Sequence, residues 1–110
     1  MDSSSALDQA SDHSMKEPVV LYKHSALCGL SFRARREIAR LADADDPPPV
    51  YEVVVQEARA VSNQIERWLG IRHESPQVIV LHQRRPVFNA SHRRVTARAV
   101  RDAINNIAVL

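Results

Sequence analysis

Hydrophobic residues in the first half of the chain form one short continuous run and then a run with helical spacing. The segment "VVLYK" at residues 19–23 is apolar and rich in strand formers, which predicts a strand buried on both faces. From residue 30 the apolar positions recur every three or four residues with arginines between them, which is typical of an amphipathic helix. These positions are Leu30, Ala34, Ile38 and Leu41.

The second half repeats these two patterns. Three prolines at residues 47–49 end the first helix, and "VYEVVV" at residues 50–55 predicts a second strand. A second helical stripe ends at Gly70, which suits a left-handed cap. It contains Val61, Ile65, Trp68 and Leu69, and its spacing predicts that Trp68 packs in the core.

A predicted hairpin and a last helix complete the chain. Residues 77–83 and 86–91 read as two strands separated by a two-residue gap, so we expect them to pair antiparallel. Helical spacing returns from about Thr96, at Val100, Ile104 and Ile107. Right-handed crossovers would make the first two strands parallel and put helices on both faces. This order is similar to the thioredoxin-like α/β fold of the glutaredoxin type, βαβαββα, with a mixed four-stranded sheet.

The N-terminal segment differs from the rest in composition. Residues 1–17 are rich in Ser and Asp, which predicts a flexible tail in front of a single domain spanning residues 18–110. The segment has neither a basic start nor a continuous apolar run, so we expect neither a signal peptide nor a membrane anchor.

Charge and cysteine content narrow the class of function. The net charge is only +2 and the arginines are scattered over the chain, which does not favour binding to nucleic acid. Cys28 is the single cysteine of the chain, so an internal disulfide is excluded. A reducing compartment, the cytoplasm, is the natural expectation. The oligomeric state is left open.

Cys28 is the first candidate for chemistry. It lies between the end of the first strand and the start of the first helix, where unpaired backbone N–H groups and the helix dipole favour a negative charge. A thiolate is the form of cysteine that attacks disulfides. The alternative is a buried cysteine that acts as a small hydrophobic residue. Ser31 would either satisfy amides of the first helical turn or donate to the Cys28 sulfur.

A proline and three histidines are predicted to lie near Cys28. Pro76 precedes the third strand, where thioredoxin-like proteins carry a cis-proline loop opposite the reactive cysteine. The topology brings His24, His73 and His92 to the same edge of the sheet. They are expected to tune the thiolate or to bond to backbone, and a metal site with Cys28 is the less favoured reading. Arg93 and Arg94 oppose the dipole of the last helix, which suggests an anionic ligand near His92.

The segments "LYKHSALCGLS", "SNQI", "HESPQVIVL" and "NASHRRVT" resemble the YtxJ-like family, the monothiol bacilliredoxins, from about residue 18 to the end. The resemblance implies a thioredoxin-like enzyme that removes bacillithiol from protein mixed disulfides by a monothiol mechanism. Cys28 matches the reactive cysteine. Pro76 and Ser75 match the substrate-facing loop, and the remaining substrate-binding positions are His24, Gly29, Ser31 and His92. No bound cofactor or metal is implied. The partners are S-bacillithiolated proteins and bacillithiol itself, a thiol co-substrate.

The chain departs from the family pattern directly after the cysteine. Family members more often have "CPIS" where this chain has "CGLS", so Gly29 loosens the first helical turn. "CGLS" also resembles the "CGFS" of monothiol glutaredoxins, which carry iron–sulfur clusters, but their paired glycines are replaced here by "NASH". A cluster or metal carrier and a redox-inert adaptor therefore remain as alternative functions. Lys23, Arg93 and Arg94 are candidate partners for the carboxylates of bacillithiol.

Overall fold

The computed structural model describes residues 4–109, with the backbone alone for Ser4, Ala108 and Val109. Its sheet has the strand order β2-β1-β3-β4. β1 runs parallel to β2 and antiparallel to β3, and β3 is antiparallel to β4. The strands are β1 (Val19–His24), β2 (Val50–Val54), β3 (Gln77–His82) and β4 (Arg85–Ser91). The predicted parallel pair and hairpin are thus confirmed.

Four helices cover the two faces of this sheet. They are α1 (Ser4–His13), α2 (Gly29–Ala39), α3 (Arg59–Leu69) and α4 (Ala97–Val109), with 3-10 turns at Arg40–Asp43 and His92–Arg94. One core lies between the sheet and α2 and α4, and the other lies between the sheet and α1 and α3. Gly70 ends α3 with φ of 67°, the left-handed conformation predicted for it, and its N–H bonds to the carbonyl of Glu66. None of the helices in residues 4–109 is long and apolar enough to cross a membrane.

The N-terminal segment is helical where the sequence predicts a loose tail. Leu7 and Ala10, three positions apart on one face of α1, are buried in the core shared with α3. Ser14 follows the helix and is fully buried. Its carbonyl accepts from Gln83 N–H, and its hydroxyl oxygen accepts from Arg84 N–H. The apolar contacts and these bonds to the β3–β4 turn hold α1 in place, and neither is visible in local composition.

Trp68 also differs from its prediction, since its side chain is 37% exposed. It lies in the last turn of α3, at a shallow cavity of about 290 Å³ that is also lined by α1. The apolar stripe of α3 is nevertheless real, because Val61 and Ile65 are buried and Leu69 is partly buried. A periodic pattern identifies the buried face, but it does not show where the sheet stops covering it.

One edge of the sheet collects the loops that matter for chemistry. β1 and β2 both end there, and the antiparallel register that pairs Lys23 with Gln77 puts Pro76 beside the end of β1. β4 also ends at this edge, because Gln77 pairs with Ser91. The loop before α2, the loop before β3 and the turn at His92–Arg94 are therefore neighbours.

Candidate functional site

Cys28 is the residue that precedes α2. Its backbone is extended, with φ of −116° and ψ of 120°, and its carbonyl accepts the first bond of the helix from Ser31 N–H at 3.0 Å. Its side chain is partly exposed and carries a free thiol. Within the described chain, the sulfur makes no capping hydrogen bond to the helix. The sulfur therefore does not occupy an amide of the first turn, and this positive end of the helix dipole favours a negative charge on sulfur or on an incoming ligand.

The loop before Cys28 is held by two side chains. Ala26 N–H donates to Gln56 Oε1 at 3.0 Å, and Gln56 Nε2 donates to Ser25 Oγ at 2.9 Å. Ser31 is fully buried, and its hydroxyl oxygen accepts from Ser25 N–H at 3.1 Å. Ser31 thus fixes the approach to the cysteine through a loop amide, whereas the sequence predicts a bond to helix amides or to the Cys28 sulfur.

His24 is buried under the start of α2. Its Nδ1 lies 3.1 Å from the hydroxyl of Tyr22, and its ring meets Phe32 edge-on at 5.3 Å between centroids. The Tyr22 hydroxyl donates to the carbonyl of Ser31 at 2.8 Å. Burial lowers the pKa of His24, and the Arg35 guanidinium lowers it further. His24 is therefore a neutral packing element beneath the cysteine loop, and its 1% exposure keeps it from solvent.

The loop before β3 contains the predicted cis-proline. The Ser75–Pro76 peptide bond is cis, Pro76 is buried and Ser75 is partly exposed. The carbonyl of Pro76 accepts from His92 N–H at 2.9 Å. His92 has φ of 58°, and its exposed ring lies 3.9 Å from the carboxylate of Glu74. α2 contacts the turn at His92–Arg94 and this turn is bonded to Pro76, so the turn connects the cysteine helix to the proline loop at the protein surface.

Two exposed arginines flank this surface. Arg93 and Arg94 follow His92, and neither forms an ion pair with the residues that the structure describes. Glu74, on the neighbouring loop, has its pKa lowered by a hydrogen bond from Ser91 and by His92. Lys23, which the sequence grouped with Arg93 and Arg94, does not lie with these arginines. It is fully buried on the α3 side of the sheet, because alternation along β1 turns it away from the face that His24 occupies.

The three histidines do not converge on Cys28. His24 packs on the α2 side, His73 bonds through Nδ1 to Ser62 Oγ at 3.2 Å on α3, and His92 is exposed at the turn. Burial lowers the pKa of His73, and Lys23 adds to this effect. Across residues 4–109, no group of three or more His, Cys, Asp or Glu side chains is arranged to hold a metal ion.

Gly29 and Leu27 are the chain neighbours of Cys28, and both positions are open. A Cβ placed on Gly29 would meet nothing within 4 Å, so this position tolerates a side chain. Leu27 is 86% exposed and Phe32, one turn into α2, is 50% exposed. The surface around Cys28 is therefore open and partly apolar, with cations on the side of His92.

Sequence reasoning missed Gln56 and Gln77. Gln56 comes just after β2, and the carboxyl ends of the parallel strands β1 and β2 meet at one edge of the sheet. Its position beside the cysteine loop could therefore have been predicted from the strand order. Gln77 is 1% exposed and bonds to Lys23, Arg72 and Ser91. Its residue type gives no sign of this burial.

The chain matches the family model described as monothiol bacilliredoxin BrxC over residues 1–100. The match includes the N-terminal helix, which the sequence resemblance left out.

Solved structures share the fold. A thioredoxin-fold protein assigned as an oxidoreductase matches at a TM-score of 0.83 and 24% identity, covering 94% of this chain and 89% of that one. Thioredoxin from Trypanosoma brucei brucei matches at 0.78 and 11% identity, covering 100% and 89%. Thioredoxin Mala s 13 from Malassezia sympodialis matches at 0.75 and 17% identity, covering 96% and 86%. These likenesses show the thioredoxin fold.

Proposed function

Because this chain belongs to the monothiol bacilliredoxin family, we propose that it removes bacillithiol from protein mixed disulfides through Cys28. The observation that carries the proposal is a single, partly exposed thiol at the start of α2, beside a cis-proline loop. Cys28 is the nucleophile, and the proline loop with Ser75 receives the client backbone. The reducing cytoplasm is the compartment in which this chemistry is expected.

The reaction consists of two thiol exchanges. The Cys28 thiolate attacks the bacillithiol sulfur of the mixed disulfide, the bond between bacillithiol and client sulfur breaks, and the client leaves as a thiolate. The second exchange requires another thiolate, which the chain does not contain, so free bacillithiol attacks the bacillithiol sulfur on Cys28. Bacillithiol disulfide leaves and the Cys28 thiolate is regenerated.

Intact mass measurement of the full chain tests the first exchange. After mixing with a bacillithiolated client protein, one bacillithiol adduct on Cys28 is expected, together with a client of unmodified mass. Cys28→Ser should acquire no adduct and leave the client blocked. A wild-type chain of unchanged mass beside a blocked client would contradict the proposal. The same client carrying glutathione serves as the specificity control.

Arg93 and Arg94 are proposed to bind the carboxylates of the bacillithiol malate group. Charge-assisted bonds from exposed arginines are modest, so Arg93→Gln/Arg94→Gln should slow transfer from a bacillithiolated client by about three- to tenfold. Arg85→Gln/Arg101→Gln removes the same charge elsewhere on the surface and is the matched control. Equal losses in both variants would mean that general attraction alone is involved.

The alternative functions give different outcomes in the same preparations. An iron–sulfur cluster or metal carrier would retain colour or metal after anaerobic purification. A redox-inert adaptor would leave Cys28 unmodified by bacillithiolated client and by small disulfides alike. The monothiol enzyme gives colourless protein and a single adduct.

A further inference from the structure

A cluster of buried and partly buried polar side chains lies on the opposite side of the sheet from Cys28's helix. We call it the α3-side cluster, and it consists of Lys23, Ser62, Glu66, His73 and Gln77. Lys23 and Gln77 are paired residues of β1 and β3, so both point to the same face, and Lys23 Nζ donates to Gln77 Oε1 at 3.4 Å. Lys23 is fully buried and Gln77 is 1% exposed.

The cluster ties down the loop that carries the proline. Gln77 Nε2 donates to the carbonyl of Arg72 at 3.0 Å and lies 3.4 Å from Ser91 Oγ. Glu66, on α3, accepts from the backbone N–H of His73. The His73 ring is held in turn by Ser62, which is also fully buried. Backbone and side-chain bonds thus fasten the segment between Gly70 and β3 to both α3 and the sheet.

A lysine in this place needs an explanation. Val19 and Leu21, the other residues of β1 on this face, are apolar. Burial lowers the pKa of Lys23 to about 8, against the attraction of Glu66, so the ammonium is held at a cost that an aliphatic side chain would avoid. Each buried side-chain nitrogen and oxygen in residues 5–107 nevertheless has at least one hydrogen-bond partner, so the members of the cluster are linked to one another or to backbone.

We propose that Lys23 is a positioning residue for client recognition. By holding the Gln77 amide, it orients the Nε2 donor toward Arg72 and thereby fixes Ser75 and Pro76 against the end of β1. The recognition of a client backbone by this loop rests on the proposed function, whereas the positioning itself does not. Lys23 touches neither substrate nor sulfur in this proposal, so its loss should affect docking and leave the chemistry of Cys28 intact.

Lys23→Met tests this division with two substrates. Removal of one buried hydrogen bond should raise KM for a bacillithiolated client by about fivefold with kcat unchanged, because the loop is no longer fixed. The rate with Ellman's reagent, a small disulfide that does not need the loop, should stay within about twofold. Ile65→Val is the matched control for a small packing loss on the same face, and both its rates should equal those of the wild type.

The route through Gln77 is tested by a double variant. If Lys23 acts by holding this amide, Lys23→Met/Gln77→Met should lose no more client affinity than Gln77→Met alone. Additive losses would overturn the route. Equal slowing of client and Ellman's reagent by Lys23→Met would show direct action on Cys28, and unchanged KM would show that Lys23 is only a structural residue. Either result overturns the proposal.

Amide hydrogen exchange supplies a readout without any substrate. Lys23→Met should speed exchange at His73 and His92, whose amides are bonded to Glu66 and to the carbonyl of Pro76, by about fivefold. Exchange in the middle of α4 is the internal control. If exchange responds but wild-type protein leaves the client bacillithiolated, the proposed function fails while the positioning stands. Unchanged exchange at both amides overturns the positioning, whatever the activity.

Discussion

Lys23 and His24 are consecutive residues with opposite surroundings. Both are buried at the end of β1 and burial lowers the pKa of both, but strand alternation sends them to different faces. Under the cysteine helix, His24 contacts the ring and the hydroxyl of Tyr22 and the ring of Phe32. Lys23 meets the amide of Gln77 on the α3 side. The α2 side thus supports the thiol, and the α3 side supports the loop that faces it.

The largest effect is expected from Leu7→Ala, which tests whether the α3 side can be weakened without changing the thiol on the α2 side. Leu7 is 3% exposed in the core of the α3 side, so the cavity should lower the free energy of unfolding by about 2–5 kcal/mol. The alkylation rate of Cys28 in the folded protein should not change, because α2 is untouched. Denaturant unfolding and iodoacetamide kinetics measure the two quantities. Val87→Ala, at a 45% exposed position, should lower the free energy of unfolding far less. A similar loss in both variants would contradict the packing of α1 against the core.

The second test uses the pH dependence of stability. The pKa of Lys23 is lowered from an ordinary 10.5 to about 8, so the folded chain binds fewer protons than the unfolded chain between these values. Stability should therefore rise with pH across this window, by up to about 3 kcal/mol, while below pH 8 the cost is fully present.

Lys23→Met removes the pH-dependent contribution of Lys23 to stability, and the other groups titrate alike in the wild type and the variant. The difference between their denaturant curves, measured at several pH values from 7 to 10, therefore isolates Lys23. Parallel curves for the two proteins would show that the ammonium is not held at a cost on the α3 side.

A smaller effect is expected on the α2 side from Tyr22→Phe. This change removes the bond to the carbonyl of Ser31 and leaves buried His24 Nδ1 without its hydroxyl partner, which should cost about 1–3 kcal/mol. Tyr51→Phe is the matched control, because its hydroxyl meets His13 at a partly buried site where water can replace it. Chemical denaturation should therefore give Tyr22→Phe a lower midpoint than Tyr51→Phe. Equal losses in the two variants would contradict the buried role of the Tyr22 hydroxyl.

The smallest expected effect is a gain from Gly29→Pro. Cys28 is extended, as a residue before proline must be, and Gly29 is the first residue of α2 with open space around its Cα. Proline there should stabilise the fold by about 0.4–1 kcal/mol by restricting the unfolded chain. Thermal unfolding measures this gain, and Gly70→Pro, at φ of 67°, is the destabilising counterpart. A loss at Gly29 would mean that the first turn of α2 is not as described.

The fold was largely predictable because its strongest signals are local in sequence. Uninterrupted apolar runs marked β1 and β3, and Gly70 marked the end of α3. The prolines at 47–49 did not mark the end of α2, which ends at Ala39 and is followed by a 3-10 turn to Asp43. The edge that carries Cys28, Pro76 and His92 follows from strand order alone. The helix α1 was missed because Leu7 and Ala10 are too few apolar residues among Ser and Asp to form a recognisable stripe.

The interior of the site was less predictable for a different reason. The sequence named Lys23 as a candidate partner for the carboxylates of bacillithiol, whereas its partners in the structure lie 43 and 54 positions away in a buried site. Ser31 was predicted to bond to helix amides or to the Cys28 sulfur, but its bond to Ser25 N–H depends on how the loop folds back. Side-chain networks between distant segments produce no periodic pattern in the sequence from which they could be predicted.

The bonds from Ser14 to the β3–β4 turn have a consequence for the order in which the protein is assembled during synthesis. Ser14 Oγ accepts from Arg84 N–H, 70 residues further along, so α1 lacks this anchor until the hairpin has emerged from the ribosome. A nascent chain that stops before β3 would therefore lack the bonds that Ser14 makes to Gln83 and Arg84. Of the elements described here, α1 precedes every strand in the chain and is among the last to be secured.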